Sequence, residues 1–232
     1  GEALPYSILL MGASLLASVV MGVGVALIQA RRPRSRLDRL LGAATLIGVA
    51  APEAWIALAL LATFALALPW FPVGGVMAEY GTSPWSLRGA LDVARHLVLP
   101  TLSICIVGAA VVARYQRAAL IATAPAEFVR AARARGLSER FIWRHHILRN
   151  ALTPLLTLIG LSLPAFAGGA VFVERIFAWP GMGLLATQAV TSRDAPLLTA
   201  CVFLSSLLVV AGSITADVVH AWLDPRVGRA DG

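Results

Sequence analysis

From Ser7 to Ile28 the chain carries no charged residue. At 1.5 Å per residue, a helix over this stretch covers about 33 Å, enough to cross the hydrocarbon core of a bilayer. Four more apolar runs follow: Leu40 to Leu68, interrupted only by Glu53; Leu97 to Ala113; Ala151 to Val173; and Ala195 to Ala216. A chain divided in this way is expected to be all-α, a polytopic bundle of transmembrane helices. Its 13% of charged residues stands against about a quarter in a soluble domain. In the first run Gly12, Gly22 and Gly24, with Ala and Ser, offer small surfaces for close helix packing. The third run is short, but Arg114 and Arg117 at its end can snorkel and extend it. Pro100 is expected in its first turn, where proline is tolerated.

The charges lie between the runs. Arg31, Arg32, Arg34, Arg36 and Arg39 fall within nine residues. The chain contains no lysine, so its net charge of +7 comes from arginine alone. Clustering between apolar runs argues for membrane orientation and against a nucleic-acid surface. With the C-terminal tail inside, the inner segments hold fifteen arginines and the outer ones only Arg88, Arg95, Arg175 and Arg193. Five spans that end inside must start outside. Pro69 to Gly75 supplies turn formers and interfacial aromatics, and the mixed segment from Met77 to Arg95 is expected to hold a short helix on the outer surface. Glu174 to Pro196 is expected outside the membrane as well. Cys105 and Cys201 lie within apolar runs and read as small buried hydrophobes. The chain starts at Gly1 and not Met, so a processed or truncated N-terminus is expected; the first run is long enough to span and does not read as a signal peptide.

One stretch is basic and apolar at once. Glu127 to Pro154 holds Arg130, Arg133, Arg135, Arg140, Arg144 and Arg149, interleaved with Phe128, Leu137, Phe141 and Trp143. Ala131, Ala132 and Ala134 favour helix. Gly136 supplies a left-handed position to end it. Ser138 is placed to cap a second helix, with Leu137 and Ile142 spaced as a hydrophobic staple. The positive-inside rule accounts for the arginines. It does not account for a glycine between two helical runs or for the interleaved aromatics. A docking element on the cytoplasmic side does.

The order Phe128-Val129-Arg130-Ala131-Ala132-Arg133-Ala134-Arg135-Gly136-Leu137, continued by Arg144-His145-His146-Ile147-Leu148-Arg149-Asn150-Ala151-Leu152-Thr153-Pro154, resembles the cytoplasmic loop of ABC importer permeases. Those loops carry E-A-A-x3-G, here with Arg130 in place of the Glu. The dipeptide, oligopeptide and nickel branch is the nearest in pattern. Leu68 to Gly75 resembles its first-permease type. Glu174, Trp179, Pro180, Gly181 and Gly183 resemble its outer loop, and the C-terminal Leu223-Asp224-Pro225-Arg226 its ending. Ala195 stands where the family usually has an aromatic.

The resemblance implies the type I importer permease fold in a bacterial inner membrane, as one domain over 1–232. It places a cytoplasmic docking loop at about 124–150 and outer loops at about 69–96 and 174–196. Family members have six spans, so a first span would be missing from the five read here. The implied partners are a second permease forming a heterodimer, two ATP-binding subunits, an extracytoplasmic substrate-binding protein and the lipid bilayer. Glu127, Arg130, Ala131, Ala132, Gly136, Leu137, Arg144 and His145 would couple to the ATPase. Glu174, Trp179, Pro180, Gly181 and Gly183 would face the binding protein and external gate. Peptides, nickel complexes, opines and glutathione stay open as substrates.

No catalytic residue, cofactor, metal or nucleic acid is expected. A P-loop needs a lysine on the phosphates, so ATP hydrolysis falls to a partner. His145 and His146 are neighbours and point about 100° apart on a helix, which suits packing better than joint ligation of a metal. No G-x-S-x-G elbow supports a hydrolase. Glu53 is a carboxylate inside an apolar run. It either lines a substrate path and meets a cationic group, or is hydrogen-bonded or protonated inside the bundle. The rival functions are an ion-coupled secondary transporter, for which no clear inverted repeat is visible, and a non-transporting membrane scaffold.

Overall fold

The computed structural model describes residues 3–77, 86–156, 158–159 and 171–223, without the side chains of 216, 217 and 219–223. No strand occurs among them. In hydrocarbon each backbone group must find a partner within the protein, which only a helix or a closed barrel allows.

Helix α1 (Ala3–Arg31) buries one stripe: Ser7, Leu10, Ser14, Ser18, Gly22 and Ala26. The spacing of three or four residues is that of a single helical face, and most of these side chains are small. The stripe lies along α4 (Leu87–Thr123). A Cβ on Gly22 would stand 2.6 Å from Val112 Cβ, so the two backbones touch through the glycine. Gly12 and Gly24, expected to pack in the same way, have nothing within 4 Å of a built Cβ; they lie off the stripe.

The second apolar run is not one straight helix. Ser35 caps α2 (Arg36–Ala50), its Oγ accepting from Asp38 N. Proline lacks an N–H and disfavours helix in the residue before it. Ala51 is accordingly extended, with ψ 131°. Helix α3 (Glu53–Leu60), which runs on through a π-helical segment Leu61–Ala67, leaves at 104° to α2.

Two further expectations change at α4. It runs unbroken for 37 residues, so residues 87–95 are its first turns and not a separate surface helix; 78–85 lie outside the described residues. Pro100 is interior to α4 and buried. The third run is therefore not short, because helix extends beyond the apolar stretch at both ends.

Beyond α4 come α5 (Glu127–Ala134) and α6, in which Glu139–Phe141, Ile142–Leu148 and Arg149–Ala151 follow without a break. The run from Ala151 to Val173, with Pro164, Gly168 and Gly169, falls largely outside the described residues. Then come α7 (Val171–Ile176), α8 (Met182–Thr191) and α9 (Ala195–Leu223). By length and composition α1, α4 and Ala195–Thr215 of α9 can each cross a membrane, and the bent α2–α3 pair would make a fourth span. Two cores result. One joins Leu10, Ala57, Leu99, Phe177 and Trp179. The other joins Ala26, Leu120, Val129, Ala132, Ile142 and Ile147 around the hairpin.

Candidate functional site

Helix α5 has Glu127 in its first turn and Arg133 in its last, the order that suits the helix dipole. Gly136 takes φ +75°. Its N–H donates to Arg133 O at 2.9 Å and that of Leu137 to Ala132 O at 3.3 Å, the paired bonds that close a helix around a left-handed residue. A Cβ on Gly136 would meet nothing within 4 Å. The backbone alone therefore demands glycine. Ser138 starts α6, its Oγ accepting from Phe141 N at 3.4 Å. Both turn signals in the sequence are used as expected. The staple is not: Ile142 is buried, but Leu137 stays exposed.

The hairpin has an inside and an outside. Val129 and Ala132 face inward with Ile142 and Ile147 and pack on Ala26 and Leu120 of the long helices. Glu127, Arg130, Ala131, Gly136, Leu137, Arg144 and His145 are exposed, as are Phe128 and Phe141. Ala132, unlike the other residues expected at the contact, is buried: periodicity puts it on the same face as Val129. His145 stacks on Phe141 with ring centroids 4.2 Å apart, consistent with a packing role. The Arg133 guanidinium donates to Glu139 Oε1 at 2.6 Å, and that hydrogen bond holds the Glu139 carboxyl below the usual glutamate range.

Gln116, which the sequence reading passed over, and Arg117, which it read only as a snorkelling residue, tie the hairpin to the other helices. Gln116 of α4 is buried, and its Nε2 donates to Ala151 O at the end of α6, 3.0 Å away. Its neighbour Arg117 donates through Nε and Nη2 to the two oxygens of Asp38 at 2.8 and 2.7 Å. Asp38 also accepts from Gln29 Nε2 at 3.2 Å and Arg34 N at 2.8 Å. Successive residues of α4 so hold the hairpin on one side and the start of α2 on the other. The one available signal was Asp38 itself, the lone acid among five arginines. A partner 79 residues away cannot be read from spacing.

At the other end of the molecule Glu174 is fully buried. Its carboxyl group accepts from Ser7 Oγ at 2.7 Å, Gly183 N at 2.7 Å and Leu184 N at 3.0 Å. Ser7 Oγ in turn accepts from Met182 N at 2.8 Å. The group thus sits at the N-terminus of α8, where unpaired amides and the helix dipole favour a carboxyl oxygen. Trp179 is also buried, and its Nε1 donates to Tyr6 O at 2.9 Å. Gly75 N–H donates to Phe177 O at 2.9 Å, which ties the 69–77 turn to the same node. A Cβ on Gly181 would collide with the Glu174 carboxyl, and one on Gly183 would lie 2.8 Å from Val171 Cα. These glycines are small to let the carboxyl in; neither has a positive φ. Pro180, Gly181 and Leu184 line a cleft of about 470 Å³ with Ala3, Tyr6 and Gln188.

Glu53 is half-buried in the first turn of α3. It makes no hydrogen bond or ion pair with the described residues. The break at Pro52 gives it a helix N-terminus to face, a local reason for an acid there that the apolar run did not reveal.

Comparison with known proteins bears on both ends of the molecule. The family described as binding-protein-dependent transport system inner membrane component matches residues 18–229. The oligopeptide transport system permease protein AppB of Bacillus subtilis is 36% identical over 224 residues, 97% of this chain and 69% of that protein. A putative peptide permease protein of Brucella suis is 38% identical over 221 residues, 95% of this chain and 68% of its own length. Among solved structures, a chain of the inward-facing MetNI methionine ABC transporter superposes with a TM-score of 0.75 at 18% identity, over 96% of this chain and 95% of that one. The fold is therefore that of a type I ABC importer permease.

Proposed function

The chain belongs to the inner membrane components of binding-protein-dependent transport systems, the permeases of ABC importers, and from that premise we propose that it forms half of the path for a peptide. The names of its relatives support peptides as the substrate class. A second permease would supply the other half, with two ATP-binding subunits beneath and a substrate-binding protein outside. The single domain would place its docking loop at about 124–150 inside and its loops at about 69–96 and 174–196 outside. These relatives set aside the ion-coupled transporter working without an ATPase.

The observation that carries the coupling role is the two-sided hairpin. Its inward face is locked to α1 and α4, and its outward face presents Glu127, Arg130, Ala131, Leu137, Arg144 and His145. Force applied to that face passes through Gln116 and Arg117 to the start of α2. From there it reaches the bend before Glu53, which would lie on the substrate path. At the far end the Glu174 node would fix the outer loop, with Trp179, Pro180, Gly181 and Gly183, against α1. The native Cys105 and Cys201 are buried, so a cysteine introduced at Leu137 is a clean probe. In the purified transporter it should cross-link to the ATP-binding subunit. Efficient cross-linking to the external binding protein instead, or none at all, rejects the docking assignment.

A further inference from the structure

A cavity of about 320 Å³ opens between the inner ends of α1, α2 and α4, lined by Gln29, Asp38, Arg39, Thr45, Arg114 and Arg117. Three guanidinium groups and one carboxylate meet here. Asp38 is committed: Arg117 neutralises it, and its oxygens also accept from Gln29 and the Arg34 amide. Arg39 and Arg114 form no ion pair with the described residues. Among the described residues the cavity therefore keeps two uncompensated positive charges.

Its height in the membrane follows from the helices that bound it. Helix α1 ends at Arg31 and α2 begins at Arg36, so the cavity lies at the level where both reach the inner surface. Beside it α2 exposes apolar side chains: Leu40 is 69% exposed and Ile47 68%. Tyr115, next to Arg114, is exposed as well, as aromatics at a membrane interface often are. A charged cup with an apolar flank matches a ligand that carries a phosphate at one end and hydrocarbon at the other. Guanidinium groups suit phosphate by geometry as well as charge, and basic pockets between helices on the cytoplasmic side are a known form of lipid site.

We infer that this cavity binds the phosphate of an anionic phospholipid from the inner leaflet, held by Arg39 and Arg114 with Arg117 behind them. The site is separate from the docking face of the hairpin, although its back wall is the Asp38–Arg117 pair.

The test labels arginines with phenylglyoxal in the intact transporter, held in phosphatidylcholine nanodiscs. Labelling is compared without additions, with phosphatidylglycerol in the disc, and with inorganic phosphate in the buffer. Phosphatidylglycerol should slow labelling of Arg39 and Arg114 several-fold more than that of Arg31 and Arg32, which lie at the same level outside the cavity. Equal protection of all four would mean a generic headgroup effect and would overturn the site. Equal protection by inorganic phosphate would overturn the lipid as its occupant. As an independent readout, the Arg39→Gln, Arg114→Gln double variant should retain phosphatidylglycerol in native mass spectrometry less well than the parent by about tenfold or more, tenfold being the factor for losing only one of the two charge-assisted hydrogen bonds. Undiminished retention by an assembled double variant also refutes the assignment.

Discussion

Gly136 sits in open space at φ +75°, so a larger side chain there meets strain in the backbone and not a clash. For a β-branched residue the left-handed conformation costs about 1–2 kcal/mol. Gly136→Val should leave the protein in the membrane but distort the turn between α5 and α6. The expected result in proteoliposomes is ATP hydrolysis with little substrate uptake; normal uptake per ATP would count against the hairpin as coupler. Glu174 is the opposite case, where packing decides. Removing its carboxyl in Glu174→Ala strands the donors of Ser7, Gly183 and Leu184. Buried unpaired donors cost about 1–3 kcal/mol each, so thermal unfolding of the purified transporter should shift downward by several degrees. An unchanged melting curve would show that the node is dispensable. Gly136 was legible in the sequence because a local turn consists of nearby residues. The burial of Glu174 was not, since Ser7 stands 167 residues away; the sequence offered only its place before a Trp-Pro-Gly run.

At the scale of elements, the break at Ala51–Pro52 and the Asp38–Arg117 pair act on the same helix. Proline sets where α2 stops, and the ion pair fixes where it starts. Residues joined in one ion-pair network couple by about 0.5–3 kcal/mol in a double-mutant cycle. Asp38→Asn and Arg117→Gln should therefore be non-additive in thermal stability, with the double variant closer to either single one than their sum. Simple additivity would break the proposed link between hairpin and α2. The break was visible in the X-Pro step, but the apolar run around it read more strongly as one span. Likewise α4 was underestimated because helix propensity continues past the point where apolar composition stops. The run from Ala113 to Thr123 holds only two arginines among good helix formers.

At the scale of the whole molecule, we propose from the arginine count, fifteen on one side of the apolar runs against four on the other, that the hairpin faces the cytoplasm. A cysteine at Arg32 should react with a membrane-impermeant thiol reagent only from the cytoplasm, and one at Val73 only from outside. The reverse pattern would invert the molecule and remove the docking role of the hairpin. Helix α9 adds little to this chain's own core; Cys201 is its one buried residue among those described. The sequence by itself determined the helical class, the number of apolar runs and the turn at Gly136. Each depends on local composition. Only the tertiary structure decided that Ala132 points inward, that α2 and α3 meet at 104°, and that Arg117 holds Asp38. Those follow from which helix faces lie together, and small residues such as Gly22 set that closeness without recording which partner they admit.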